Sequence, residues 1–172
     1  MTSRPLALTG LLALLLASPV LAEKSWKDKA NQVEGTIRDP MTNHNPEHLE
    51  WKDGPPSLPK GVKVATLAGD PFQPGPFVIR LKMPANYTIP PHWHSKVENV
   101  TVISGTLHLG MGDKVDAKRA HVLKQGGFHA IETQTHHYAI SKTGAVVQLH
   151  GEGPFDITYV NPADNPDPAA KK

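Results

Sequence analysis

The chain has 172 residues, with 18 Lys and Arg against 16 Asp and Glu and a formal net charge of +2. Basic side chains scattered along a nearly neutral chain argue against a nucleic-acid binder, and the length suits one domain. The absence of cysteine excludes disulfide staples and a lipid-modified N-terminus, whereas ten histidines raise the prospect of a metal site.

Arg4 precedes a mostly apolar run over 6–16, and Ser18-Pro19-Val20-Leu21-Ala22 offers small residues where a signal peptidase reads. The run is short of the ~20 residues that span a bilayer, so residues 1–22 are expected to be an export signal cleaved after Ala22. The mature protein is expected to be periplasmic or secreted, with no stable membrane anchor. Residues 23–60 read as a polar N-terminal arm or linker whose main apolar points are Trp26, Val33 and Ile37. A short helix over 25–33 would have only a thin apolar face. Turn chemistry recurs at Asp39-Pro40, Asn43-His44-Asn45-Pro46 and Asp53-Gly54-Pro55-Pro56. His44 and His48 read as loop histidines rather than a second metal site, because loops rarely preorganise ligands. Trp51 is expected to pack the arm along the rest of the domain or against a neighbouring subunit.

Over residues 61–162 the pattern changes to short β-type runs at regular spacing, the signature of an all-β domain. Strands are expected near 62–67, 77–83, 87–94, 97–104, 106–111, 120–123, 127–132, 137–141, 145–150 and 155–160. Turns punctuate them at Gly69-Asp70-Pro71, Pro74-Gly75-Pro76, Ser104-Gly105, Gly110-Met111-Gly112-Asp113, Gln125-Gly126-Gly127 and Lys142-Thr143-Gly144. Residues 163–172, rich in Pro, Asp and Ala, read as a flexible tail.

Within this region His92-Trp93-His94, followed by Glu98 and Gly105, carries the most chemistry. Side chains at i and i+2 of a strand share a face, so His92 and His94 project together. Glu98 returns to that face if the chain stays extended, and Pro90 and Pro91 stiffen the approach. Two neutral imidazoles and a carboxylate meeting at one point suit a borderline divalent metal. Glu98 is in line with Val100 and Val102, opposite in parity to Asn99, Thr101 and Ile103. It therefore reads as an inward, buried acid in need of a metal or a cation, with Arg80 or Lys82 as the alternative partner. Trp93, of opposite parity to the two histidines, either faces outward against the arm or a partner subunit, or serves as an ordinary core aromatic.

The order His92, His94, Glu98, Gly105 resembles the first motif of the cupin superfamily, and the stretch from Gly126 to His137 is similar to its second. Glu132-Thr133-Gln134 replaces the usual Pro-x-Gly turn of that second motif, and Asn86 and Ser141 depart from residues often found beside the two. The resemblance implies a single cupin barrel, a double-stranded β-helix or jelly roll. It further implies one divalent metal ion held by His92, His94, Glu98 and His137, with Fe, Mn, Ni, Cu and Zn all open. Segments 55–59, 106–113 and 150–155 look like a group of small exported bacterial single-cupin proteins, a likeness running from about Trp51 to Pro162. Cupin barrels commonly pair through their sheets, which implies a homodimer.

His136 has the opposite parity to His137 and reads as outward-facing. His108, His121 and His150 fall in expected strands without motif support and read as hydrogen-bonded barrel residues. His129, in the strand leading to the second motif, and Tyr138 are the candidates for moving protons in the pocket or orienting a ligand. Tyr87 is read as packed in preference to serving as a pocket hydroxyl. Two functional classes remain. One is a metal-dependent enzyme, foremost an oxidoreductase of the dioxygenase kind, acting on a small oxygen-donor molecule. The other is a non-catalytic periplasmic protein that holds metal or a small ligand. The fold alone does not choose between them. An open mouth beside the metal would favour the first, and a closed four-coordinate site a structural role.

Overall fold

The computed structural model describes residues 43–171. The expected export signal over 1–22 and the part of the arm that holds Trp26, Val33 and Ile37 lie outside them. Eight strands follow one another: β1 (Lys52–Asp53), β2 (Lys63–Ala68), β3 (Gly75–Trp93), β4 (Glu98–Met111), β5 (His121–Lys124), β6 (Phe128–Ile131), β7 (His137–Gly153) and β8 (Thr158–Tyr159). Short 3-10 turns at Pro46–His48, Pro162–Asp164 and Pro168–Lys171 are the only helical elements among the described residues. The last two fall at the start of the tail and within it.

The strands pair antiparallel in the order β1-β2-β3-β7-β4-β5, with β6 also on β4 and β8 also on β3. This is the expected all-β jelly-roll barrel. Its frame is the ladder between β3 and β7, which runs from Gly75 opposite Gly153 to His92 opposite His137. Alternation along these strands fills the interior. Phe77, Ile79, Leu81 and Met83 of β3 are buried, as are Val147 and Leu149 of β7 and Val100 and Val102 of β4. Burying each such side chain contributes about 1.5–3 kcal/mol against the entropy of ordering the chain. Asn99, Thr101 and Ile103 stand on the other face of β4 and are only half-buried.

Strand continuity departs from the sequence expectation. The runs expected at 77–83 and 87–94 form one strand, as do 97–104 with 106–111 and 137–141 with 145–150. The expected breaks are bends. Asn86, Gly105 and Gly144 turn the chain with φ of 58°, 76° and 98°, and pairing continues past them, Ala85 with Thr143 and Gly105 with Ala145. Register shifts on β4 between Val102 and Ser104 and between Gly105 and His108 mark the bulges that absorb the curvature. β1 lies within the segment read as an arm and pairs Lys52 with Val64, so the end of that arm is an edge strand of the sheet. Trp51 packs beneath Lys82, whose Nζ lies 5.6 Å from the ring centroid, a cation–π contact.

Gly105 allows a test of the bend. Its left-handed φ disfavours any side chain, and a Cβ there would run into the Gly144 carbonyl of the paired strand. Gly105→Ala is expected to lower the stability by about 2–3 kcal/mol in urea unfolding, with little change in secondary structure by circular dichroism.

Candidate metal centre

The end of the β3–β7 ladder places two imidazoles directly across from each other. His92 and His137 are cross-strand partners, with ring centroids 4.2 Å apart. His94, just past the end of β3, brings a third ring to 5.0 Å from His92 and 5.2 Å from His137. One ring nitrogen from each of the three lies within 4.8 Å of the others. Glu98 opens β4 and aims Oε2 at the same point, 3.4 Å from His94 Nε2 and 3.2 Å from His137 Nε2. All four residues are between 1% and 8% exposed.

The rings are held from behind. His92 Nδ1–H donates to the Pro90 carbonyl at 2.6 Å, His137 Nδ1–H to the Thr135 carbonyl at 2.8 Å, and His94 Nδ1–H to the Asp156 carbonyl. A proton committed to Nδ1 leaves the lone pair of the neutral ring on Nε2. The Nε2 atoms of His94 and His137 are buried and have no hydrogen-bond partner, although Glu98 Oε2 lies close to both. Buried polar atoms are normally satisfied, so two such nitrogens beside a carboxylate form a cradle that a cation would complete.

Glu98 has no basic side chain to neutralise it among the described residues. Arg80 Nε donates to Gln148 Oε1 at 3.2 Å, and Lys82 lies on Trp51, so neither takes the role of ion-pair partner. Burial pushes the Glu98 carboxyl up, but the facing nitrogens of His137 and His94 outweigh it and hold it well below the usual carboxylate range. Burial also opposes a proton on His94, yet Glu98 prevails and raises its affinity. His92 is pushed down to about 3, first by burial and then by the neighbouring His137 and His94 rings.

Two residues that sequence reasoning missed set the orientation of His94. The Asp156 carboxylate accepts hydrogen bonds from Ser95 N–H at 2.9 Å and Ser95 Oγ–H at 2.6 Å, while its carbonyl takes the His94 proton. Phe155 stacks on the His94 ring, with centroids 4.4 Å apart and planes 20° from parallel. These contacts join residues 61 or 62 positions apart and leave no local pattern to read.

A cavity of about 560 Å³ opens above the cluster, with His92, His94 and Glu98 among its lining residues. Leu58 and Ser57 of the former arm line it too, a role the sequence did not signal. The candidates for moving protons are elsewhere. Tyr138, adjacent to His137 and so of opposite parity, donates its hydroxyl to the Asp116 carbonyl at 2.7 Å and accepts from Asp116 N–H at 3.0 Å. His129 lies across from Val100 with its ring 6.5 Å from that of His121, and neither it nor Tyr138 lines the cavity. Tyr87 donates to the Pro59 carbonyl at 2.6 Å. His136 pairs with Asp113 at 2.6 Å near the surface, and His108, His121 and His150 are not part of the cluster.

The jelly-roll barrel, with three histidines gathered at one end of its interior, has the fold of the cupins. In structure the chain is similar to the polyketide cyclase RemF from Streptomyces resistomycificus, with a TM-score of 0.62 at 14% identity over 77% of this chain and 94% of that one. It is similar also to an RmlC-like cupin from Shewanella frigidimarina, with a TM-score of 0.51 at 17% identity over 67% and 94% of the two chains. KdgF from a Halomonas species gives 0.51 at 18% identity over 67% and 96%. No curated protein matches the chain in sequence. The chain belongs to the family described as Domain of unknown function (DUF4437), which matches residues 20–158.

Because the Tyr138 hydroxyl serves both backbone groups of Asp116, Tyr138→Phe is expected to cost about 1–2 kcal/mol in urea unfolding. The cavity lies elsewhere, so binding of a small ligand there is expected to be unchanged by calorimetry.

Proposed function

We propose that this chain is an exported single-domain cupin that binds one divalent metal through His92, His94, Glu98 and His137 and applies it to a small oxygen-donor molecule. The observation that carries this reading is the commitment of all three Nδ1 protons to backbone carbonyls, which leaves three Nε2 lone pairs beside a buried carboxylate that has no lysine or arginine against it among the described residues. Three neutral imidazoles and one carboxylate fit Fe, Mn, Ni, Cu or Zn. The metal would supply Lewis-acid polarisation of bound oxygens, or redox chemistry where it is redox-active. The chain does the rest. Carbonyls of Pro90, Thr135 and Asp156 hold the rings, Glu98 supplies one negative charge, and the barrel excludes bulk water. Since His92, His94 and Glu98 line the cavity, a ligand can approach the cluster from that side. That openness supports an enzyme, with an oxidoreductase of the dioxygenase kind as the leading reading, over a closed structural site. The apolar run over 6–16 and the small residues up to Ala22 support export.

Protein purified without a His-tag from the compartment that holds it is expected to begin at Glu23 and to carry close to one metal per chain by elemental analysis. The double variant His92→Ala/His94→Ala is expected to carry none. A wild-type protein that neither contains nor takes up metal overturns the reading. Asp156→Ala frees the segment that orients His94 and is expected to weaken Zn²⁺ binding about 10–100-fold in competition with a chromophoric chelator, with unchanged circular dichroism.

A further inference from the structure

The cavity is charged at its floor and apolar above it. Besides His92, His94 and Glu98, the lining includes Leu58, Ile79, Leu81, Leu149 and Ile157, with Phe72, 62% exposed, also part of it. Of the carboxylates that line the cavity, Glu50 is solvent-exposed, and three others are already engaged. Asp53 is paired with Lys63 at 2.7 Å, Asp70 accepts from Phe72 N–H at 2.9 Å, and Asp156 holds Ser95. Lys52 and Thr66 also line it, but both are solvent-exposed. The walls between floor and solvent therefore offer a ligand contact area and few hydrogen bonds.

From this geometry, and resting on the metal reading above, we infer the ligand class: an apolar-bodied molecule with one anionic oxygen-donor end, and not a sugar or polyol. A cavity of about 560 Å³ accommodates a body of about 12–18 non-hydrogen atoms with most of its surface covered. Hydroxyls along a sugar ring would face Ile79, Leu81 and Leu149, losing water without gaining partners. A flat or branched hydrocarbon body loses nothing there and gains from burial. The charge at the floor selects the other end. A divalent cation beside the single carboxylate of Glu98 leaves one positive charge, and a monoanionic donor cancels it where an unbalanced charge would be costly.

The test compares two monoanions of similar size on the zinc-loaded full chain. 3-Hydroxy-2-naphthoate joins a carboxylate and neighbouring hydroxyl to a fluorescent bicyclic body, whereas glucuronate joins a carboxylate to a polyol. The naphthoate is expected to bind at least about 100-fold tighter by fluorescence titration and calorimetry. Ile157→Ser and Leu58→Ser, at half-buried wall positions, are each expected to weaken it about 10-fold while leaving zinc content unchanged. Naphthoate binding that is the same after zinc is stripped, yet still weakened by both wall variants, upholds the apolar class and overturns the metal reading. Glucuronate binding as tightly as the naphthoate overturns the inference, and so does naphthoate binding that neither wall variant alters.

Discussion

The barrel is built around a buried carboxylate. Glu98 is 8% exposed and has neither lysine nor arginine against it among the described residues, so its charge is met by what the neighbouring strands bring within reach. They bring Nε2 of His94 and His137 within 3.4 and 3.2 Å. A buried charge without compensation is among the most costly arrangements a fold can contain. Its presence here ties the register of β4, the end of β3 and the start of β7 to a single point.

That point is reached without help from long side chains. Imidazole rings are short, and each is aimed by a hydrogen bond to the main chain, two of them to a carbonyl only two residues earlier. The third bond crosses from His94 to Asp156, whose side chain in turn fastens Ser95. Rigid backbone behind each ring is the condition for a site whose donors stay in place when nothing is bound. The same economy leaves the rest of the cavity free for apolar residues, so floor and walls have different chemical characters.

How much of this was legible follows from the range over which each feature is encoded. His92, His94 and Glu98 declared themselves because strand periodicity acts over two to six residues, and Val100 and Val102 confirmed which face Glu98 takes. His137 was legible only by likeness to a family motif, since nothing in its own neighbourhood distinguishes it from His136. The strands were legible as runs, but their continuity was not. Asn86, Gly105 and Gly144 look like turns locally, and only pairing with a distant strand shows them to be bends within a ladder. Asp156, Phe155 and Leu58 were missed for the same reason: their contacts with the cluster or cavity join segments that share no pattern. Tyr138 attracted notice as a hydroxyl beside a ligand position, but adjacency on a strand puts it on the opposite face, where Asp116 engages it.

The clamp of Asp156 on His94 also dictates when the cluster can come into being. The two residues are separated by 62 positions, and β8, which pairs Tyr159 with His92, follows Asp156. A growing polypeptide that has completed β3 and β4 already carries three of the four converging side chains, but not the segment that orients one of them or the strand that faces another. Contacts this remote in sequence form late, after the loop between them has been closed. A chain cut before Asp156 would keep the β3–β7 ladder that sets His92 opposite His137, but it would lose the carbonyl that orients His94 and the strand that pairs with His92 from the other side.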